Sequence, residues 1–198
     1  LDPYDYRMIR GEDFYEFVNR KLRGLPNVTF LQARVNELRE VEGRVEIHTS
    51  DGPYTGKWVF DSLFIPREFQ VDESKHHFLK QHFVGWFVKT KRALFDPEAV
   101  TWFDFRVPQK GEMRFMYLLP TSETEALVEF TLFSHDLLSR EEYEESIREY
   151  MRESLGLSED EYQIVEDEDG IIPMTDAPFD RRGGKRIMRI GTDRKSVV

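Results

Sequence analysis

A carboxylic acid set into an apolar strand can act as a proton donor. The run Thr124–Phe133, T-E-A-L-V-E-F-T-L-F, holds one at Glu129. Side chains of an extended chain alternate between two faces. Ala126, Val128, Phe130 and Leu132 then share a wholly apolar face, while Leu127, Glu129, Thr131 and Phe133 share the other. The second face is apolar at both ends, so packing on it would strip water from Glu129. Desolvation favours the protonated form of a carboxyl group. A carboxylic acid kept neutral near pH 7 can protonate a poor base. The competing reading is structural: a glutamate paired with a buried arginine, or one on an open sheet face. Spacing alone leaves both open.

A second constellation lies in Thr101-Trp102-Phe103-Asp104-Phe105-Arg106-Val107. Strict alternation puts Trp102, Asp104 and Arg106 on one face. They form either an exposed ion pair or a polar pair beside an aromatic pocket. Aromatics recur on neighbouring runs at Phe83, Trp86, Phe87, Phe103, Phe105, Phe115, Tyr117, Phe130 and Phe133. They read as an ordinary core or as a long apolar ligand slot, whose ring faces could stabilise a cation.

Other chemistries find little support. The five histidines, His48, His76, His77, His82 and His135, accompany no metal-ligand spacing, so no metal is expected. No glycine-rich phosphate loop or nucleophile elbow is present. Gly183-Gly184-Lys185 reads as a turn. The chain has no cysteine, which removes disulfides and thiolate chemistry. The net charge of −10 argues against a nucleic-acid partner and against attachment to anionic lipid by charge alone.

The elements that must position these residues fall into two blocks of the 198-residue chain. In the first, Glu12–Arg23 has helical spacing and stops at Gly24. Val28–Phe30, Ala33–Leu38 and Val45–Thr49 read as strands. Asp51-Gly52 is a turn, and Lys57–Phe60 returns in a meander that closes on Asp61. Pro66–Lys75 reads as a crossing loop. In the second block Phe83–Lys89, Val100–Val107, Arg114–Leu119 and Ala126–Phe133 are successive strands with short links, which favours an antiparallel sheet. Ser139-Arg140-Glu141-Glu142 is a capping box opening a helix to about Leu155. Glu161–Val165 and Gly170–Pro173 read as a strand and its exit, and Ile187–Gly191 as a last short strand.

Several stretches together resemble the flavin-dependent lycopene cyclases of carotenoid synthesis, most closely the bacterial β-cyclase type. They are Gln81-His82-Phe83-Val84-Gly85-Trp86, Leu94-Phe95-Asp96-Pro97, Val100 through Val107, Phe115 through Pro120, Glu125 through Ser134, Gly170 through Thr175, and Ile190-Gly191-Thr192. The resemblance runs from about Tyr4 to Thr192. It implies an α+β fold: part of a Rossmann-like FAD domain of the group-two flavoprotein type, plus an antiparallel-sheet substrate domain with helices. Residues 1–62 would be the C-terminal part of the first FAD-domain segment and 63–178 the substrate domain. Residues 179–192 would return towards the FAD domain. Asp61, Gly191 and Thr192 would contact the cofactor.

The resemblance also implies the chemistry. An acid protonates a terminal double bond of lycopene, the carbocation closes, and loss of a ring proton leaves a β-ionone ring. Reduced FAD is required without net redox change, with NAD(P)H as reductant. The acid/base glutamate falls at Glu129. Asp104 falls in a D-x-R segment that would support or orient the site. Trp86, Phe105, Arg106 and Tyr117 would line the substrate. Phe103 departs from the methionine usual before that Asp.

The family's dinucleotide fingerprint would lie upstream of Leu1. Asp193–Val198 back-translates to the start of a sequencing-library adapter and is expected not to be natural protein. The chain is therefore expected to hold FAD poorly and to be inactive alone. Lycopene dissolves only in lipid, so the implied location is cytoplasmic and peripheral to the membrane, through an apolar patch. Two alternatives stand beside the cyclase: a flavin reductase or monooxygenase acting on another isoprenoid, and a non-catalytic carotenoid-binding module.

Overall fold

The computed structural model describes residues 7–62, 71–178 and 180–190. They form two compact units, one of residues 7–62 with 180–190, the other of residues 71–178.

In the first unit, α1 (Gly11–Arg23) carries Glu12 and Asp13 in its first turn and Arg20, Lys21 and Arg23 in its last. Both sets complement the helix dipole. Strands β1 (Val35–Val41), β2 (Arg44–Thr49) and β3 (Gly52–Gly56) form an antiparallel meander. The β1–β2 link is the pair Glu42-Gly43, both at positive φ (47° and 81°). Two left-handed residues match the twist of a tight hairpin.

Val28–Phe30, expected as a strand, joins no sheet. The return after the second turn begins at Gly52 and not at Lys57. There Thr49 Oγ1 donates to the Gly52 carbonyl at 2.8 Å and tightens the turn around Ser50-Asp51. Asp61 therefore ends a separate strand, β4 (Val59–Asp61), and not the meander. The last strand, β10 (Ile187–Arg189), pairs with β4 in parallel, with Arg189 opposite Asp61. This is one parallel pair, and these two strands do not by themselves make a Rossmann-like sheet. Gly183 is in a turn, as read from the sequence: its N–H donates to the Ile187 carbonyl at 3.1 Å.

The second unit is a five-stranded antiparallel sheet in the order β6-β7-β8-β5-β9. Its strands are β5 (Phe78–Thr90), β6 (Thr101–Asp104), β7 (Met113–Pro120), β8 (Glu125–Ser134) and β9 (Tyr162–Thr175). Helix α2 (Arg140–Glu153) lies on one face, opened by the reciprocal Ser139–Glu142 capping box. Its stripe of Tyr143, Ile147, Tyr150 and Met151 packs on Val84, Trp86, Val88, Met116, Ala126, Val128, Phe130 and Leu132. This core accounts for the alternation: the even-numbered residues of β8 belong to α2.

Two differences from the sequence expectation matter. First, β9 is one unbroken 14-residue strand, not a strand and an exit, because it pairs with β5 along its whole length. Second, β6 is short and bulged. Thr101 pairs with Leu118 and Asp104 with Met116, so three steps on β6 span two on β7. The extra residue is absorbed at Phe103, whose φ is +58°, a costly conformation for a bulky side chain. The bulge shifts every later residue of the strand to the opposite face. No described helix is long and apolar enough to cross a membrane.

Candidate active site

Glu129 lies on the sheet face away from α2, as the alternation predicts. Its cross-strand neighbours are Tyr117 on β7 and Gly85 on β5. Around it stand Leu127, Thr131 and Phe133 of β8 and Phe115 and Leu119 of β7. The Thr131 hydroxyl donates to Glu129 Oε1 at 2.6 Å.

Aromatic rings pave the adjoining surface. Phe115 is fully buried and meets Phe103, Tyr117 and Phe105 edge-on, with centroids 4.9, 5.2 and 5.7 Å away. Phe103 also stacks on Trp102 at 4.7 Å. The strained backbone of Phe103 is what turns its ring to this side. Such pairs contribute roughly 0.5–1.5 kcal/mol each beyond area burial.

Burial pushes the Glu129 carboxyl up to about 7. The Thr131 hydroxyl opposes that rise, while the charge of Glu168 and its hydrogen bond to Glu129 add to it. Glu129 is thus a carboxylic acid poised near neutrality on an apolar, aromatic surface. That combination suits proton donation to a weakly basic group and stabilisation of a cation beside ring faces.

Glu168 was missed in the sequence, where it falls between the expected strand Glu161–Val165 and its exit at Gly170–Pro173. Gly85 pairs with Glu129 on one side and with Glu168 on the other. A Cβ built at Gly85 would meet Leu127 Cδ1 at 2.9 Å, Glu168 Cγ at 3.2 Å and Glu129 Cβ at 3.3 Å. The available signal was Gly85 itself, since glycine inside an aromatic strand marks a close approach.

Asp104 is not beside Glu129. The bulge sends it to the α2 face, where it is 7% exposed and accepts a hydrogen bond from the Tyr150 hydroxyl at 2.8 Å. Arg106 Nε donates to Asp104 Oδ1 at 2.8 Å, while the Arg106 side chain is 71% exposed. Hydrogen bonds from Arg106 first, and from Tyr150 after it, hold the Asp104 carboxyl at about 2. Asp104 is ionised and cannot serve as an acid near neutral pH.

Trp86 is also on the α2 side. It is buried in the core, with the Arg148 guanidinium 5.3 Å from its ring centroid. Trp86, expected to line the substrate, packs in this core, because Gly85 and not Trp86 faces Glu129. Of the expected lining, Phe105 and Tyr117 join the Glu129 surface. Arg106 holds Asp104. Asp61 belongs to the first unit, and Gly191 and Thr192 lie outside the described residues, as does the expected adapter segment 193–198.

Buried His82 hydrogen-bonds Ser134 Oγ through Nε2 at 2.8 Å and the Tyr143 hydroxyl through Nδ1 at 2.6 Å. It is a satisfied core histidine. Among the described residues no group of three His, Asp or Glu side chains could hold a metal ion.

A family model described as "Lycopene cyclase protein" matches residues 2–197. No curated protein matches the chain. Among solved structures, the fold is similar to p-nitrophenol 4-monooxygenase PnpA from Pseudomonas putida DLL-E4, with 17% identity and a TM-score of 0.61 over 92% of this chain and 47% of that one. It is also similar to a triple mutant of the flavin-dependent brominase Bmp2, with 12% identity and a TM-score of 0.58 over 96% of this chain and 50% of that one. The chain spans about half the length of these two proteins.

Proposed function

Because the chain belongs to the lycopene cyclase protein family, we propose that it is the substrate-side portion of a lycopene β-cyclase. The observation that carries this reading is Glu129: a carboxyl raised to about 7 by burial, on a face paved with Tyr117, Phe103, Phe105 and Phe115. The reaction needs a carboxyl group that still carries its proton near neutral pH, and surroundings that tolerate a carbocation.

Glu129 gives its proton to the less substituted carbon of the terminal double bond, whose electron pair forms the new C–H bond and leaves the cation on the tertiary carbon. The cation closes onto the neighbouring double bond. A proton then leaves the ring carbon, and its C–H electron pair becomes the ring double bond. The proton taken up by substrate equals the proton returned, so no redox change occurs. Phe105 and Tyr117 flank the polyene, and Thr131 fixes the orientation of the carboxyl group. Asp104 and Arg106 act indirectly, by tying the bulged strand to α2.

The whole protein is proposed to use reduced FAD, replenished by NAD(P)H, and to work at a membrane surface from the cytoplasmic side. The family and the flavin-dependent brominase of similar fold support a flavin. The described residues do not themselves form a flavin cradle, since of the three expected contacts only Asp61 is among them.

The test is expression of the whole protein in lycopene-accumulating cells, with pigment analysis. The expected product has the mass of lycopene and β-rings. Glu129→Gln should abolish it. A product altered in mass would instead favour a reductase or monooxygenase. An unchanged pigment bound to purified protein would favour a carrier.

A further inference from the structure

We propose that Glu168 is the positioning carboxylate of Glu129, and that the two share one proton across Gly85. This rests on the reading of Glu129 as the acid of cyclisation and adds a second residue to it.

β5 runs between β8 and β9, and Gly85 is the residue opposite both glutamates. Any side chain at position 85 would occupy the space where they meet, since a Cβ there falls 3.2–3.3 Å from carbons of both. Glycine leaves the space open, and across it the charge of Glu168 and a side-chain hydrogen bond to it both favour the protonated Glu129. The other groups facing Glu129 are few. β5 contributes only Phe83 and Phe87 beside the glycine. β7 contributes Tyr117, β8 contributes Thr131, and β9 contributes Glu166 two residues along. The positive side chain these strands place on that face, Lys89, lies four residues along β5 and is paired with Glu125 at 2.7 Å, so the nearest charge Glu129 meets is a like one.

Two carboxyl groups in this relation hold one proton more firmly than either would alone. Glu168 thereby keeps Glu129 protonated at rest. When Glu129 gives that proton to the alkene carbon, its O–H bond breaks and both groups are anionic beside the new cation. Loss of the ring proton to Glu129 restores the shared state. The sum is one proton out and one proton back.

The test is a carbon-13 NMR titration of the chain labelled at glutamate carboxyls, with Glu129 assigned by loss of its signal in Glu129→Gln. The unaltered chain should show two linked steps. In both Glu168→Gln and Glu168→Asp the Glu129 midpoint should fall by about one pH unit or more, the coupling expected of such pairs. In the whole enzyme loaded with its cofactor, the alkaline limb of kcat should move by the same amount with KM unchanged. A Glu129 midpoint that stays put in both variants overturns the proposal. Turnover that survives Glu129→Gln would overturn the cyclase reading and leave the titration result intact, so the two failures are separable.

Discussion

Asp104 and Glu129 occupy opposite faces of one sheet. They are the two carboxylates that the sequence draws together, and the structure gives them opposite protonation states. Asp104 is held near 2 by Arg106 and Tyr150. Glu129 is raised to about 7 by burial. Only the second can deliver a proton near neutrality.

Glu129→Gln should cost orders of magnitude in turnover and yet stabilise the fold at alkaline pH. The folded-state value lies above the ordinary 4.5, so the folded protein keeps a proton that the unfolded chain releases. That contribution is complete below 4.5 and is lost as pH rises through about 7. Above this window the buried charge costs up to about 3 kcal/mol. Urea titrations from pH 5 to 9 should show the unaltered chain weakening across the window and the variant holding steady.

Asp104→Asn should act in the opposite sense. The Asp104 carboxyl is depressed from 3.8 to about 2, so its contribution is present above 3.8 and disappears as pH falls through 2. At pH 7 the variant should be less stable by about 2 kcal/mol. The Glu129 titration should not move, since the residues lie across the sheet. A shifted Glu129 midpoint would contradict that separation.

Tyr143→Phe removes the hydroxyl that meets His82 Nδ1 at 2.6 Å. An unsatisfied ring nitrogen in the core should cost roughly 1–3 kcal/mol. Burial also lowers the His82 pKa from 6.5. The unfolded chain then binds a proton that the folded one resists, and His82 withdraws stability as pH falls below 6.5. Thermal melts between pH 5 and 8 would register both effects.

Gly85→Ala should destabilise by roughly 1–3 kcal/mol, the usual range for overpacking. Its methyl would press on Leu127 Cδ1 at 2.9 Å and on both glutamates. The Leu127 side chain can yield, so the sheet should persist by circular dichroism while the Glu129 midpoint falls as the glutamates part.

The sequence carried Glu129 well. Its strand is regular, both faces are informative, and alternation alone placed it correctly. Helix α2 was equally legible, because Ser139 and Glu142 form a local signal that needs no tertiary context. Asp104 does not share a face with Trp102, as strict alternation expects, because the left-handed residue Phe103 breaks that alternation, and no propensity marks phenylalanine for that conformation. The place of Trp86 was illegible for a different reason. The face it occupies relative to Glu129 depends on the register between β5 and β8, which neither strand states alone. Glu168 became visible only when β9 proved continuous. Its partner is set by pairing across β5 and not by any spacing in the chain.

The two edges of the five-stranded sheet have a consequence for life in a crowded cell. An open edge invites pairing with a strand of another molecule. β9, the longer edge, carries Glu166, Asp167, Glu168 and Asp169 in succession, so a second copy approaching in the same way would meet its own charge. β6, the other edge, is four residues long and bent by its bulge, which leaves little straight backbone to template an addition. The same acidic run that supplies a partner for Glu129 thus guards the sheet against growing into an aggregate.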